Sequence, residues 1–252
     1  TDVNCWDETY GRGFDCYRGT DLVNWEGPFA AFTPPENFWA TGNFWAPEVH
    51  EYQGKYFLFA SFKAPGRRRG VQILSSDSPK GPFKVHSPEP VTPHEWECLD
   101  GTFYLDDNGQ PWMVFCHEWV QISDGSMCAV RLAPDLRSTV GEIAVLFHAS
   151  EAPWVKAIDA EQTKFVTDGP FLYREDGKLK MLWSSNGNDG YAMGVAVSEN
   201  GSIDGKWRQI EKPVFSQDGG HGMRFTAMDG KTMLSVHRPN RSPDEHPFFW
   251  AL

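Results

Sequence analysis

The sequence predicts an all-β fold of the β-propeller type, in which short sheets are arranged around a central axis. Hairpins with the same internal spacing occur four times, and their turn glycines lie 55, 68 and 53 residues apart, at Gly54, Gly109, Gly177 and Gly230. Strand–turn–strand units that repeat about every 50 residues are typical of propeller blades. A β-sandwich with chance alternation would not place four hairpins in one frame.

The hairpin over residues 168–185 shows the pattern most fully. Phe, Leu and Tyr at 171–173 favour a strand, Asp176-Gly177 is a strong turn signal, and apolar residues alternate from Leu179 to Trp183. Shorter strand-like segments follow the hairpins, as at 71–75 and 194–198. We therefore expect blades of several antiparallel strands.

Composition limits the function. The chain has 252 residues, 40% hydrophobic residues and eleven tryptophans, which fits one β-propeller domain over residues 1–252 with a large core. A net charge of −11 argues against nucleic acid or an anionic membrane as partner and favours a neutral oligo- or polysaccharide. No stretch is long enough to span a membrane. The sequence sets neither the oligomeric state nor the location, and a soluble protein in the cytoplasm, or one secreted or periplasmic with its signal peptide outside this chain, fits equally.

The cysteines do not form a disulfide pattern. Their number is odd and they lie in strand-like contexts, at Cys5, Cys16, Cys98, Cys116 and Cys128. We expect free, buried thiols.

Four long segments between the predicted strands are candidates for loops at the faces of the propeller. Residues 29–44 are aromatic and include Trp39, and residues 118–127 include Trp119. Residues 64–70 carry three arginines, which we interpret as a solvated loop tip or, less simply, as a site for a substrate carboxylate. Residues 139–165 lack clear alternation and are interpreted as an insertion that accounts for the 68-residue spacing.

One residue of each hairpin lies nine positions before the turn glycine, and we expect these residues to form a ring at the mouth of the central channel. They are Trp45, Asp100, Asp168 and His221. Two carboxylates whose environments separate their pKa values can divide acid and base roles, which is typical of a hydrolase. The structural alternative is that the Asp-Gly pairs only cap the preceding loops.

Three motifs resemble those of the family 43 glycoside hydrolases. They are Trp45-Ala-Pro-Glu48-Val, Leu99-Asp100-Gly-Thr-Phe-Tyr and Thr167-Asp168-Gly-Pro-Phe-Leu-Tyr. The resemblance implies a five-bladed propeller that hydrolyses arabinan, xylan or related chains with inversion at the anomeric carbon. It implies that Asp168 is the general acid and that Asp100 modulates the pKa of that acid. The resemblance also implies that the reaction needs no cofactor and that His221 helps to hold a structural calcium or sodium ion in the channel.

The sequence departs from the family pattern at two of these positions. The family acid is usually Glu where Asp168 stands, so Glu161, in the loop before that strand, is a rival for the role. The family usually has Asp where Glu48 stands, and we interpret Glu48 as a residue that supports the site, paired with a neighbouring blade.

The first blade departs further. One period before Trp45 lies upstream of residue 1, so we expect the first blade to be incomplete at the N-terminus and the general base to lie upstream of residue 1. Asp2 and Asp7 are the only early acids. The chain taken alone is then expected to have little activity.

The sequence-based hypothesis is an inverting glycosidase acting on arabinose- or xylose-containing plant polysaccharides or oligosaccharides. Trp45 and Glu48 would shape the sugar subsite with His221, and Trp39, Trp119 and Arg238 would line its rim. Two alternatives stay open at this point: a retaining fructan hydrolase on a related propeller, and a catalytically impaired propeller that binds carbohydrate or protein.

Overall fold

The computed structural model describes residues 12–252, which form seventeen strands in five antiparallel sheets. The first sheet holds β1 (Phe14–Gly19) and β2 (Trp25–Phe32). The second holds β3 (Gly42–Tyr52), β4 (Lys55–Lys63), β5 (Gly70–Ser76) and β6 (Lys84–Val85). The third holds β7 (Cys98–Leu105), β8 (Pro111–His117), β9 (Ser126–Leu132) and β10 (Thr139–His148).

The fourth sheet holds β11 (Asp168–Glu175), β12 (Lys178–Gly187), β13 (Gly190–Ser198) and β14 (Trp207–Gln209), and the fifth holds β15 (Gly220–Thr226), β16 (Thr232–Arg238) and β17 (His246–Ala251). The described residues include one short helix, α1 (Trp119–Ile122), and one 3-10 turn (Ala149–Glu151). The predicted all-β propeller is confirmed.

Each sheet is a meander of strands that are consecutive in the chain, as propeller blades require. The first strands of the second to fifth sheets are innermost: β7 contacts β3 and β11, and β11 contacts β15. Trp25 on β2 stacks on Phe249 of β17 with ring centroids 5.9 Å apart, so the first and fifth sheets also meet. Within the described residues the first sheet has two strands, and Asp2, Cys5 and Asp7 lie outside those residues.

The core lies between the blades. Every residue of β8 is buried, because the sheets on either side cover both of its faces. Phe115 and Cys128 pack toward the second sheet with Phe59, whereas Cys116 packs toward the fourth sheet with Trp183. The four described cysteines are free thiols, three of them buried and Cys16 half-buried.

Each of the four complete hairpins has a β-bulge near the start of its innermost strand. The register between the paired strands shifts by one residue after Trp45, Leu99, Asp168 and Gly220. The next residue in each strand has a left-handed backbone, with φ between 46° and 56°, at Ala46, Asp100, Gly169 and His221. A bulge of this kind turns a backbone N–H out of its own sheet and re-aims the neighbouring side chains.

The four residues that lie nine positions before the turn glycines therefore occupy two different positions relative to the bulge. Trp45 and Asp168 directly precede their bulges, whereas Asp100 and His221 are the bulge residues. The cause is the length of the hairpin loop. The hairpins of the second and fourth sheets turn through two residues, whereas those of the third and fifth sheets turn through five, at 106–110 and 227–231. Equal distances to the turn glycine do not mean equal places in the strand.

The bulge N–H groups join neighbouring blades. The N–H of Asp100 donates to Ser61 Oγ on β4 at 2.9 Å, and the N–H of His221 donates to Ser184 Oγ on β12 at 2.8 Å. Both serines are fully buried. Each hydrogen bond fixes the start of an innermost strand against the preceding blade.

The segment 139–165, interpreted from sequence as an insertion without alternation, is partly regular. Thr139–His148 is β10, the outer strand of the third sheet, with two register shifts against β9. These irregularities obscure the two-residue period that identifies a strand. The remaining residues, 149–165, form the connection to β11.

We expect Ser184→Ala to lower the free energy of unfolding by about 1–3 kcal/mol, because it leaves the buried N–H of His221 without its acceptor. Ser185→Ala is the matched control. The Ser185 hydroxyl is also buried but makes no hydrogen bond within the described residues, so its loss should cost less than the loss of Ser184. Urea unfolding of both variants measures the difference, and an equal cost at the two positions would contradict the assigned role of the bulge N–H.

Candidate active site

Asp100 and Asp168 meet where the innermost strands of the third and fourth blades begin. Asp100, on β7, is 7% exposed, and its Oδ2 accepts the Gly169 N–H at 3.0 Å. The same oxygen lies 3.7 Å from Nδ1 of His221, on β15. Three blades therefore contribute to one cluster of polar side chains.

Asp168 is the more accessible of the two acids. It is half-buried at the start of β11, and Tyr191 Oη on β13 donates to its Oδ2 at 2.7 Å. The ring of Tyr191 stacks on His237 at 5.4 Å, which fixes the hydroxyl in place. Asp168 thus has one oxygen held by the protein while its side chain remains in reach of solvent.

Burial raises the pKa of both acids. It raises the pKa of Asp100 to about 7, against the Gly169 N–H and the Arg69 charge, which favour the ionised form. Burial and then the negative charge of Asp100 raise the pKa of Asp168 to about 7, against the charge of His221 and the Tyr191 hydroxyl. Two adjacent carboxylates of this kind hold one proton between them near neutral pH.

Arg69 is a buried cation beside the two aspartates. It is 3% exposed, its guanidinium forms an ion pair with Glu118, and its Nη2 donates to Asn43 Oδ1 at 3.0 Å. The guanidinium carbon lies 4.4 Å from the ring centroid of Trp45. Such a cation–π contact, together with the ion pair, fixes the guanidinium.

The charge of Arg69 acts on several acids at once. It favours the ionised forms of Asp100 and Asp168 and so limits the rise in their pKa values. Burial raises the pKa of Glu118 to about 7, and Arg69 limits that rise. The site is therefore rich in carboxylates around one guanidinium, an arrangement in which a proton is readily retained.

Trp45 and His221 complete the predicted ring. Trp45 packs against the guanidinium of Arg69, whose charge acts on both aspartates, and His221 contacts Asp100 directly. Burial lowers the pKa of His221, opposed by the charges of Asp168 and Glu48. The structure brings the four predicted ring residues together in spite of the register difference between them.

Glu48 lies between the second and third blades. Its Oε1 contacts His50 Nε2 and accepts a hydrogen bond from Thr102 Oγ1 on β7. The side chain is 14% exposed. Its charge raises the pKa of Asp100, so Glu48 acts on the site electrostatically while its carboxylate bridges two blades.

The three predicted rim residues lie at the same end of the sheets and contact residues other than the two aspartates. Trp39 lies under the guanidinium of Arg67 at 4.4 Å. Trp119 opens α1 directly after Glu118, with Lys164 Nζ 5.9 Å from its ring. Arg238 ends β16, donates to Gln217 Oε1 at 3.1 Å and lies over Phe248.

Glu161, the rival acid, is exposed in a turn of the connection before β11. The turn is closed by Asp159, whose Oδ1 accepts the N–H groups of Thr163 and Lys164. Asp168, in contrast, accepts the Tyr191 hydroxyl, and the next residue, Gly169, donates its N–H to Asp100. The geometry favours Asp168 over Glu161 as a proton donor.

The arginine loop is not only a solvated tip, as one sequence interpretation had it. Arg67 and Arg68 are partly exposed and pair with Glu89 and Glu97, but Arg69 is buried in the site. Beside it lies a cavity of about 720 Å³ between residues 63–70 and 90–97. Arg69 lines this cavity, whereas neither of the two aspartates does.

The described residues contain no group of three His, Cys, Asp or Glu side chains that could hold a metal ion. An ion at His221 would therefore take most of its ligands from water. None of the helices in the described part of the chain is long and apolar enough to cross a membrane.

Sequence reasoning did not find Arg69, Glu118 or Tyr191 as site residues. Arg69 is one of three consecutive arginines, and only its position directly before Gly70 and a buried strand distinguishes it. Glu118 is an acid directly after a strand whose first six residues are apolar, which is a usable signal. Tyr191 lies on a different strand from the acid it contacts, and no local pattern marks it.

Comparisons with known proteins agree with this geometry. The sequence model of glycosyl hydrolases family 43 matches residues 5–248. An extracellular exo-α-(1→5)-L-arabinofuranosidase of Cellvibrio japonicus is 30% identical over 268 residues, which cover 90% of this chain and 73% of the relative. An endo-arabinase structure from Bacteroides thetaiotaomicron has 47% identity and a TM-score of 0.89 over 94% of this chain and 84% of that one. A thermostable family-43 glycoside hydrolase, 24% identical, has a TM-score of 0.85 over 97% of this chain and 83% of that one, which shows the fold.

We expect Arg69→Met to lower the free energy of unfolding by about 3–5 kcal/mol, because it leaves the Glu118 carboxylate buried without its partner. The pKa of Glu118 in the folded protein would then rise further above its unfolded value. The loss of stability should therefore be smaller at pH 5 than at pH 8. Arg68→Met, at a side chain that is 51% exposed, is the control and should cost about 1 kcal/mol or less. Similar losses in both variants, measured by urea unfolding, would argue against a special role for Arg69.

The raised pKa values also predict the pH dependence of the native protein. Acids with a folded-state pKa of about 7 stabilise the fold fully below their unfolded pKa, about 3.9, and lose that contribution as the pH rises through 7. Asp168→Asn should remove part of this decline and raise stability at pH 8 by about 1–2 kcal/mol. Asp159→Asn is the control: the pKa of Asp159 is lowered by hydrogen bonds in its turn, so this change should not reduce the decline. A slope unaffected by Asp168→Asn would contradict the shift.

Proposed function

The chain belongs to the glycosyl hydrolases of family 43, and on that premise we propose that it hydrolyses α-(1→5)-linked arabinofuranose chains of plant polysaccharides with Asp168 as the general acid. The observation that carries the proposal is the pair of half-buried Asp168 and buried Asp100, with the N–H of Gly169, the residue after Asp168, donated to Asp100. The substrate follows from two relatives, one named as an exo-α-(1→5)-L-arabinofuranosidase and one as an endo-arabinase.

In the proposed reaction Asp168 gives its proton to the glycosidic oxygen as the bond to the anomeric carbon breaks. The proton belongs on Asp168 because the Gly169 N–H favours the ionised form of Asp100, and the charge of Asp100 disfavours ionisation of Asp168. A general acid is most effective when its pKa lies near the working pH. Asp100 therefore acts as the modulator of the acid.

We further propose inversion at the anomeric carbon. An inverting enzyme needs a general base roughly 6.5–9.5 Å from the acid, so that water fits between base and sugar. Asp100 accepts the N–H of Gly169, the residue after the acid, and is already assigned as the modulator of that acid. We assign the base to none of the described residues.

Sugar contacts are proposed for the aromatic and polar side chains around the acid pair. Trp45 offers a ring, with Glu48 and His221 behind it, and Trp39, Trp119 and Arg238 lie farther out at the same end of the blades. We take residues 1–252 as one propeller domain, acting on a neutral oligo- or polysaccharide without a cofactor. A calcium or sodium ion at His221 remains a prediction of the family resemblance.

In the full-length protein, Asp168→Asn should lower kcat about 10²–10⁴-fold on arabino-oligosaccharides, whose leaving oxygen needs a proton. An aryl arabinofuranoside with an acidic phenol needs less protonation and should lose less. Steady-state rates on the two substrates measure the difference.

Glu161→Gln is the matched control, since it also neutralises an acid before β11 but at an exposed position. It should leave both rates nearly unchanged, because the exposed side chain lies outside the acid pair. Equal losses on the two substrates in Asp168→Asn would indicate a structural role for Asp168, and a larger loss in Glu161→Gln would transfer the acid role to Glu161.

The substrate is tested by supplying the full-length protein with linear α-(1→5)-arabino-oligosaccharides and with xylo-oligosaccharides of the same length. We expect cleavage of the arabinose series, with the anomer released first having the inverted configuration by ¹H NMR. Faster cleavage of the xylose series, or release of the retained anomer, would contradict the proposal.

A further inference from the structure

Among the bulge N–H groups of Asp100, Gly169 and His221, the hydrogen bond to a serine of the preceding blade has one exception, at Gly169. Ser61 and Ser184 stand opposite the residue that precedes the bulge, and each hydroxyl accepts the bulge N–H of the next blade. In the third sheet this position is Cys116. The corresponding N–H, that of Gly169, donates to Asp100 Oδ2 instead.

Cys116 lies on β8 opposite Leu99, the residue before Asp100, and its thiol does not accept the N–H. Its pKa lies well above the ordinary value because of burial and then the charges of Asp100 and Asp168, so it remains a neutral thiol. Its sulfur is fully buried and contacts Met127 Sδ at 3.9 Å. Sulfur is a weak hydrogen-bond acceptor, whereas a serine hydroxyl is a strong one.

We propose that Cys116 is a positioning residue for the acid pair: because it offers no strong acceptor, the Gly169 N–H is directed to the carboxylate of Asp100. The inference rests on the proposed function in so far as the pair is catalytic. A serine at this position, as in the second and fourth blades, would take the N–H and leave Asp100 without its backbone donor. The exception in the blade repeat thus holds the modulator beside the acid.

The first test is structural and does not depend on hydrolysis. In a crystal structure of Cys116→Ser, the introduced hydroxyl should accept the Gly169 N–H, and the distance from Gly169 N to Asp100 Oδ2 should exceed 3.5 Å. An unchanged bond between Gly169 and Asp100, with the hydroxyl directed elsewhere, would overturn the proposal even if the protein hydrolyses arabinan as expected.

The second test is kinetic and uses the full-length protein. Loss of a hydrogen bond to a charged group should reduce the rate on arabino-oligosaccharides about tenfold in Cys116→Ser, through kcat more than KM. The rate on an aryl arabinofuranoside with a good leaving group should fall less. A parallel fall on both substrates would indicate a general packing defect and overturn the positioning role.

Two variants separate this role from the effect of placing a hydroxyl in the core. Cys128→Ser makes the same change at a fully buried thiol on β9, whose sulfur faces Ser126 Oγ rather than the acids, and it should keep the native ratio of the two rates. Cys116→Ala adds no acceptor and should also keep that ratio. If Cys116→Ser does not fold, Cys116→Ala still decides, because a tenfold loss confined to arabino-oligosaccharides in that variant would overturn the proposal.

Discussion

One backbone N–H at the start of the innermost strand in the third, fourth and fifth blades determines how the site is built. A β-bulge turns this group out of its own sheet, and the preceding blade supplies the acceptor. Between the second and third blades and between the fourth and fifth, the acceptor is a buried serine. Between the third and fourth it is the Asp100 carboxylate, so the same interaction that joins the blades also orients an acid.

The chemistry follows from where that acid is held. Asp100 and Asp168 are adjacent in a region of low dielectric, where ionisation of both is unfavourable. Arg69 opposes this effect, yet its guanidinium is already shared with Glu118 and Asn43 and held over Trp45. Arg69 limits the rise in the pKa of each aspartate, yet both pKa values remain about 7, so the pair retains a proton near neutral pH. That proton is what a glycosidase needs at the leaving oxygen.

Much of this arrangement could be predicted from the sequence, because turn chemistry and strand alternation are local properties. These local properties predicted the hairpins, and the acids at the starts of the strands predicted the ring of side chains at the channel mouth. The bulge register could not be predicted, since equal distances to a turn glycine conceal hairpin loops of two and five residues. Arg69 and Tyr191 were missed for another reason: each acts on an acid far away in the chain, and only the packing of blades brings them together. Cys116 could be interpreted only after the register had aligned it with Ser61 and Ser184.

The central claim is that hydrolysis takes place at Asp168, at the junction of the third and fourth blades. The most direct measurement is a crystal structure of the full-length Asp168→Asn variant with an uncleaved α-(1→5)-arabino-oligosaccharide. The account predicts that one glycosidic oxygen lies within hydrogen-bond distance, about 2.6–3.2 Å, of the substituted side chain, with a sugar ring against Trp45. A sugar chain bound only in the cavity between residues 63–70 and 90–97, with its glycosidic oxygens beyond reach of residue 168, would contradict it.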